Sequence, residues 1–123
     1  MSEILDLDIL RPKKRSIKIG GKEVDVSFVP CAITFDLDAA VRELQDSTKK
    51  VDLKKSFEVA VKICALFCAN QYPEMTEKWL MDHTDAKQLN VFALEIQKTL
   101  AEAYAGVEEY SKNLGAAQEG ILT

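Results

Sequence analysis

The sequence predicts a mostly α-helical α+β domain, with an N-terminal β-hairpin and room for a third short strand, packed on about four helices. Three observations lead there. Apolar and polar residues alternate on both sides of Gly20-Gly21, the pattern of two strands joined by a tight turn. From Ile33 onward the apolar residues recur at three and four, the period of a helix face. Asp52, Thr76 and Asp85, all good helix-capping types, stand just before three of those apolar stretches.

At the front, Leu5, Leu7 and Ile9 alternate with Asp6 and Asp8, which reads as the third strand. A basic run, Arg11-Pro-Lys-Lys-Arg15, separates it from the hairpin, placed at 15–29. Ile17, Ile19, Val24, Val26 and Phe28 share the apolar side, Gly20-Gly21 supplies the positive φ of a two-residue turn, and Pro30 ends the second strand. A lone hairpin is marginal in water, so that side must cover a core.

The first helix carries Ile33, Leu37, Val41 and Leu44 on one face, and Asp46-Ser-Thr-Lys-Lys50 reads as its break. Asp52 caps a second helix running to about Asn70. That helix is apolar nearly all round, which marks it as the one most surrounded by others. Tyr72-Pro73 closes it, because a residue before proline avoids the helical region. Thr76 caps a short helix with Trp79, Leu80 and Met81, and Asp85 with Gln88 forms a capping box. The last helix has a stripe of Leu89, Phe92, Ala93, Ile96, Leu100, Ala103, Tyr104 and Val107 and is expected to end near Asn113. The whole is one domain, 1–113, with a loose C-terminal tail at 114–123.

Bulk properties narrow the function classes. Hydrophobic residues are 47% of the 123 and charged residues 29%, a composition that folds without a membrane. A net charge of -4 gives little attraction for nucleic acid or anionic lipid. No apolar run approaches the ~20 residues of a membrane span. The opening residues carry acids where a secretory signal needs a basic start, so a cytosolic location is expected. Cys31, Cys64 and Cys68 have no framework spacing and are expected as reduced thiols.

No catalytic, cofactor-binding or metal-binding residue is expected. A structural zinc site favours two close ligand pairs, whereas the chain has one, Cys64 and Cys68, and a single histidine, His83. No cysteine is flanked by an oxyanion-type loop. Gly20-Gly21-Lys22 is followed by Glu23 and a strand, unlike a phosphate loop, which opens a helix. The basic run lies among acids: residues 1–30 hold six basic and five acidic side chains, so nucleic-acid contact is not the expected role. A non-catalytic interaction domain remains. Its candidate partner-binding residues are Tyr72, Trp79, Tyr110, Ile121 and Leu122, with Trp79 the most core-like of them.

The order of these elements resembles the tail assembly chaperones of long-tailed bacteriophages and prophages. The resemblance rests on the opening DLDILRPKKRSIKIGGKEVDVSFVPCAITF, the apolar helix FEVAVKICALFCA, and MTEKWLMDHTDAKQLNVFALEIQ, over roughly residues 1 to 110. It implies a small protein of the infected host's cytoplasm, absent from the finished virion, with no cofactor and no enzymatic step. Such a protein binds the long tape measure protein, keeps it soluble, and helps recruit tail tube subunits. Self-association would add avidity along a long rod. Many members are made in two lengths by a ribosomal frameshift. Two alternatives stay open: a minor virion component such as a tail completion or connector protein, and a small DNA-binding phage regulator.

Overall fold

The computed structural model describes residues 4–122, and side chains from 4 to 105. Two antiparallel strands, β1 (Ser16–Ile19) and β2 (Lys22–Asp25), precede four helices, α1 (Cys31–Lys49), α2 (Leu53–Cys68), α3 (Glu77–His83) and α4 (Ala86–Leu122). The chain is therefore mostly α with one N-terminal hairpin.

The hairpin follows from its turn. Gly20 and Gly21 take φ of 57° and 80°, the double positive φ that a two-residue turn joining twisted strands requires. This sets the register Ile19↔Lys22 and Ile17↔Val24. The N–H and C=O groups of Ile17 and Ile19 then face β2, and those of Ser16 and Lys18 face away from it. The same alternation puts Val24 and Val26 in the core with no exposure. Beyond β1, Val26 N–H donates to the Arg15 carbonyl (2.9 Å) and the Arg11 guanidinium sits 4.5 Å over the Phe28 ring. Residues 11–15 thus continue β1 in line.

The third strand is not formed. Leu7–Leu10 is a 3-10 turn with no buried residue. Asp6 accepts from the Asp8 N–H (3.0 Å), and Arg11 N–H closes the turn onto the Asp8 carbonyl (3.1 Å). Short acidic side chains compete for the backbone in this way, and a strand without a neighbour has nothing to set against it.

The helices form a packed set around α2. Ser47 Oγ meets Ser56 Oγ at 3.0 Å, so α1 returns as α2 antiparallel to itself. Cys64 Sγ donates to the Leu89 carbonyl (3.6 Å), and Phe67 meets Phe92 edge-to-face at 6.3 Å and 81°, which fixes α4 on another side. Val59, Val61, Ile63, Cys64, Phe67 and Cys68 are all buried, but α2 is not apolar all round: Lys55, Glu58 and Lys62, at steps of three and four, keep one strip of it in water. Each of the larger ones contributes about 1.5–3 kcal/mol of apolar burial. The three expected caps are formed: Asp52 accepts from Lys55 N–H, Thr76 from Trp79 N–H, and Asp85 and Gln88 bond each other's N–H.

Two helix ends lie later than the sequence predicts. Asp46-Ser-Thr-Lys does not break α1, because the Ser47 and Thr48 hydroxyls donate back to the Leu44 carbonyl (2.9 and 2.8 Å) inside the helix. The chain turns at Val51, whose φ is 58°. Val51 N–H bonds the Thr48 carbonyl and Asp52 N–H the Ser47 carbonyl, the paired bonds of a Schellman end. Likewise α4 stays helical past Asn113 to Leu122, through the segment read as a tail. Ala116, Ala117, Gln118 and Glu119 are favourable helix residues there, and isolated glycines weaken a helix without stopping it. The predicted stripe on α4 is buried as far as Leu100; Ala103 and Tyr104 are exposed, and the Val107 side chain lies outside the described residues.

Val51 is a β-branched residue in the left-handed region and is 75% exposed, so its side chain adds strain and little packing. Val51→Gly should therefore stabilise the fold by about 1 kcal/mol in urea unfolding, the left-handed strain outweighing the added freedom of the unfolded chain.

Candidate partner-binding surface

Two of the sequence-predicted partner residues, Tyr72 and Trp79, are brought together at the tip of the hairpin. Tyr72 lies in the turn after α2 and Trp79 in the first turn of α3. Lys22 joins them: its Nζ is 4.9 Å from the Tyr72 ring and 5.9 Å from the Trp79 ring, and pairs with Glu74 at 2.9 Å. That pairing holds the Glu74 carboxyl below its ordinary pKa. The indole lies so close under the turn that a Cβ on Gly20 would fall 2.5 Å from Trp79 Cη2. On its other side Trp79 stacks with His83 (4.3 Å, 13°), whose Nδ1 is 2.8 Å from the Trp79 carbonyl. Both aromatic residues are half-buried and hold the hairpin down.

Tyr72 and Gln71 also close the outer side of β2. The Tyr72 hydroxyl donates to the Glu23 carbonyl (2.8 Å). The Gln71 amide accepts from Asp25 N–H (2.8 Å) and donates to the Asp25 carbonyl (2.9 Å), as a neighbouring strand would. Burial would raise the Asp25 carboxyl, but bonds from the Ser27 hydroxyl and N–H, with Lys14 and Arg11 nearby, hold it below its ordinary value. Tyr110, Ile121 and Leu122 are on the α4 backbone, and their side chains lie outside the described residues.

The thiols are placed by their helices. Cys64 and Cys68 share the buried side of α2, and burial pushes the Cys68 thiol up to about 12 and the Cys64 thiol further still, with Cys68 adding to the latter. Cys31, at the start of α1, is exposed. Among the described residues no group of three or more His, Cys, Asp and Glu side chains is placed to hold a metal ion. No described helix is long and apolar enough to cross a membrane. The basic run is partly occupied: Arg11 covers Phe28, and Arg15 donates to Thr99 Oγ1 (2.7 Å) and pairs with Glu95 (3.6 Å).

What remains open on the surface are grooves. One, of about 550 Å³, runs between the C-terminal half of α1 and α4 over the start of α2. Leu44, Ala60, Ala93 and Leu94 form its apolar lining, and Lys49 is its sole charged residue. A second, of about 580 Å³, between α1, α2 and α3, is rimmed by Asp36, Glu43, Lys62 and Glu77. A third and smaller one, of about 270 Å³, lies between β1 and α4, with Ile17, Val91 and Phe92 as its apolar part. Sequence reading missed all three, because each is shaped by elements far apart in the chain. One signal was present: Leu94 is apolar yet falls outside the core stripe of α4, and it is 62% exposed.

Comparison of the chain with protein-family models, with curated proteins and with solved structures finds no match in any of the three.

Three measurements follow from this geometry. Gly20→Ala meets both the Trp79 ring and a positive φ, and should cost roughly 2–4 kcal/mol, against about 1 kcal/mol for Gly21→Ala, where the space is open; denaturant midpoints of the two variants check this. A thiol reagent should label Cys31 alone in the native protein and all three cysteines after unfolding. The fold holds Cys64 and Cys68 neutral, while an unfolded thiol ionises near 8.5. Their contribution is thus complete below about pH 8.5 and lost as pH rises towards about 12, and a Cys64→Ala/Cys68→Ala chain should decline less steeply with alkali.

Proposed function

We propose that this chain is a tail assembly chaperone of a long-tailed phage or prophage, and that it works by covering an apolar helical stripe of the tape measure protein. The observation that carries the reading is the groove between α1 and α4. It is apolar, nearly free of charge, and bordered by an exposed leucine. A buried helix stripe needs such a surface, since each charge it met would have to be paired or desolvated.

The α4 flank of that groove extends beyond the body. Asn90, Leu94, Gln97, Ala101 and Tyr104 follow at alternating steps of four and three, the spacing with which one helix lies along another. Leu94 is 62% and Tyr104 47% exposed, so the row is free to be covered. With 37 residues, α4 is about 55 Å long, enough for an extended seam with a rod-like partner. The likeness of the opening stretch with its hairpin, the apolar helix and the Met75–Gln97 stretch to that chaperone family gives the reading its specific partner. Recruitment of tail tube subunits and action in the host cytoplasm come with it. A virion connector or a DNA-binding regulator draws no comparable support: Arg11 and Arg15 of the basic run are engaged within the fold.

Co-expression with the tape measure protein of the same phage tests this. The tape measure protein should be soluble with the native chain and aggregated without it. Leu94→Lys/Tyr104→Lys should lose that protection while keeping its own helical signal and thermal midpoint, both positions being on the surface. A tape measure protein equally soluble alone ends the chaperone reading.

A further inference from the structure

We propose that a second copy of this chain supplies its N-terminal segment, Ile4–Leu10, as an added strand along the open side of β1. The two sides of the hairpin are unlike. Three of the four outer groups of β2, the Glu23 carbonyl and the N–H and carbonyl of Asp25, are bonded by Tyr72 and Gln71. Those of β1, on Ser16 and Lys18, have no partner among the described residues. A row of unpaired strand groups beside an apolar groove is where an extended segment docks. That groove is the one formed by Ile17, Val91 and Phe92, flanked by Lys18 and Lys87.

The segment fits the site in period and in charge. Ile4, Leu5, Leu7, Ile9 and Leu10 are 58–86% exposed, the densest group of exposed large apolar residues described. Extended, the segment puts Leu5, Leu7 and Ile9 on one side and Asp6 and Asp8 on the other. Against β1, the apolar side continues the side of Ile17 and Ile19 towards Val91, and the acids come beside Lys18. Neither Lys18 nor Lys87 is in an ion pair among the described residues, nor are Asp6 and Asp8. The remaining carboxylate of the groove, Glu95, is already paired with Arg15.

The donor is a second copy because the segment is led away from its own β1. Residues 11–15 extend the strand in line, held by the Val26 to Arg15 bond and by Arg11 on Phe28. Folding back would need a reversal inside that run. The strand period of the segment and its 3-10 turn in the single chain are then two states of one sequence: the turn costs little to open, since it buries nothing. The site is independent of the α1–α4 groove, which lies on the other flank of α4.

Light scattering of the full chain across a concentration series tests the proposal. The mass should rise above the 13.7 kDa of one chain as concentration increases. Leu7→Asp/Ile9→Asp removes the donor, and Lys18→Pro blocks the acceptor at a position whose N–H faces outward; each alone should stay at one chain, with unchanged helical signal. Mixed, the two should associate one-to-one, because each keeps what the other lacks. If Lys18→Pro disturbs the hairpin, Lys18→Glu takes its place, and Asp6→Lys/Asp8→Lys added to it should restore association. A mass of one chain at every concentration overturns the proposal, with or without exchange protection at residues 4–10. So does association that Leu7→Asp/Ile9→Asp leaves intact.

Discussion

The structure depends on the burial of α2. α2 buries residues round most of its circumference and leaves the strip of Lys55, Glu58 and Lys62 to water, so other elements must cover the remaining sides. α1 returns against one side through the tight turn at Val51, and α4 covers another through Phe92 and Leu89. α3 and the hairpin close what is left through Leu80, Val24 and Val26. The same requirement makes Cys64 and Cys68 core residues and keeps their thiols neutral. The buried hydroxyls are few and bonded: Ser47 to Leu44 and Ser56, Thr99 to Arg15 and the Val26 carbonyl, while the Arg15 Nε beside them is buried without a partner.

Enclosing one helix does not use up the surface of those that enclose it. α1 and α4 meet over the start of α2 without closing, because α2 begins only at Leu53. Their shared valley keeps a mostly apolar surface of Leu44, Ala60, Ala93 and Leu94. α4 carries two kinds of apolar residue, one set turned to α2 and one, with Leu94 and Tyr104, turned outward. A helix built only to complete a core has no use for the second set, and this excess is what the chaperone reading explains.

Most of the fold was legible in the sequence because its signals are local. Asp52, Thr76, Asp85 and the glycine pair act on groups one to three residues away, and each does in the structure what its type predicts. The errors arose where a distant or absent neighbour decides. The alternation at 5–9 is a true strand period, but no second strand lies beside it, and Asp6 takes the backbone instead. Ser47 and Thr48 resemble a helix break until their hydroxyls find Leu44. Of the candidate site residues, Tyr72 and Trp79 meet at the hairpin tip, where their rings pack on Lys22 and the turn, a contact that residues far apart in the chain do not announce. The grooves were invisible, since no single stretch contains one.

The glutamine that imitates a strand beside Asp25 has a consequence for how copies accumulate. Its amide occupies the donor and acceptor that a further molecule would need on that flank. A further strand on that flank would therefore have to displace the amide at Asp25, which the open side of β1 does not demand. Glu23 and Asp25 add charge to the same rim, so the outer side of β2 is guarded twice against edge-to-edge growth, by a side-chain amide and by two carboxylates.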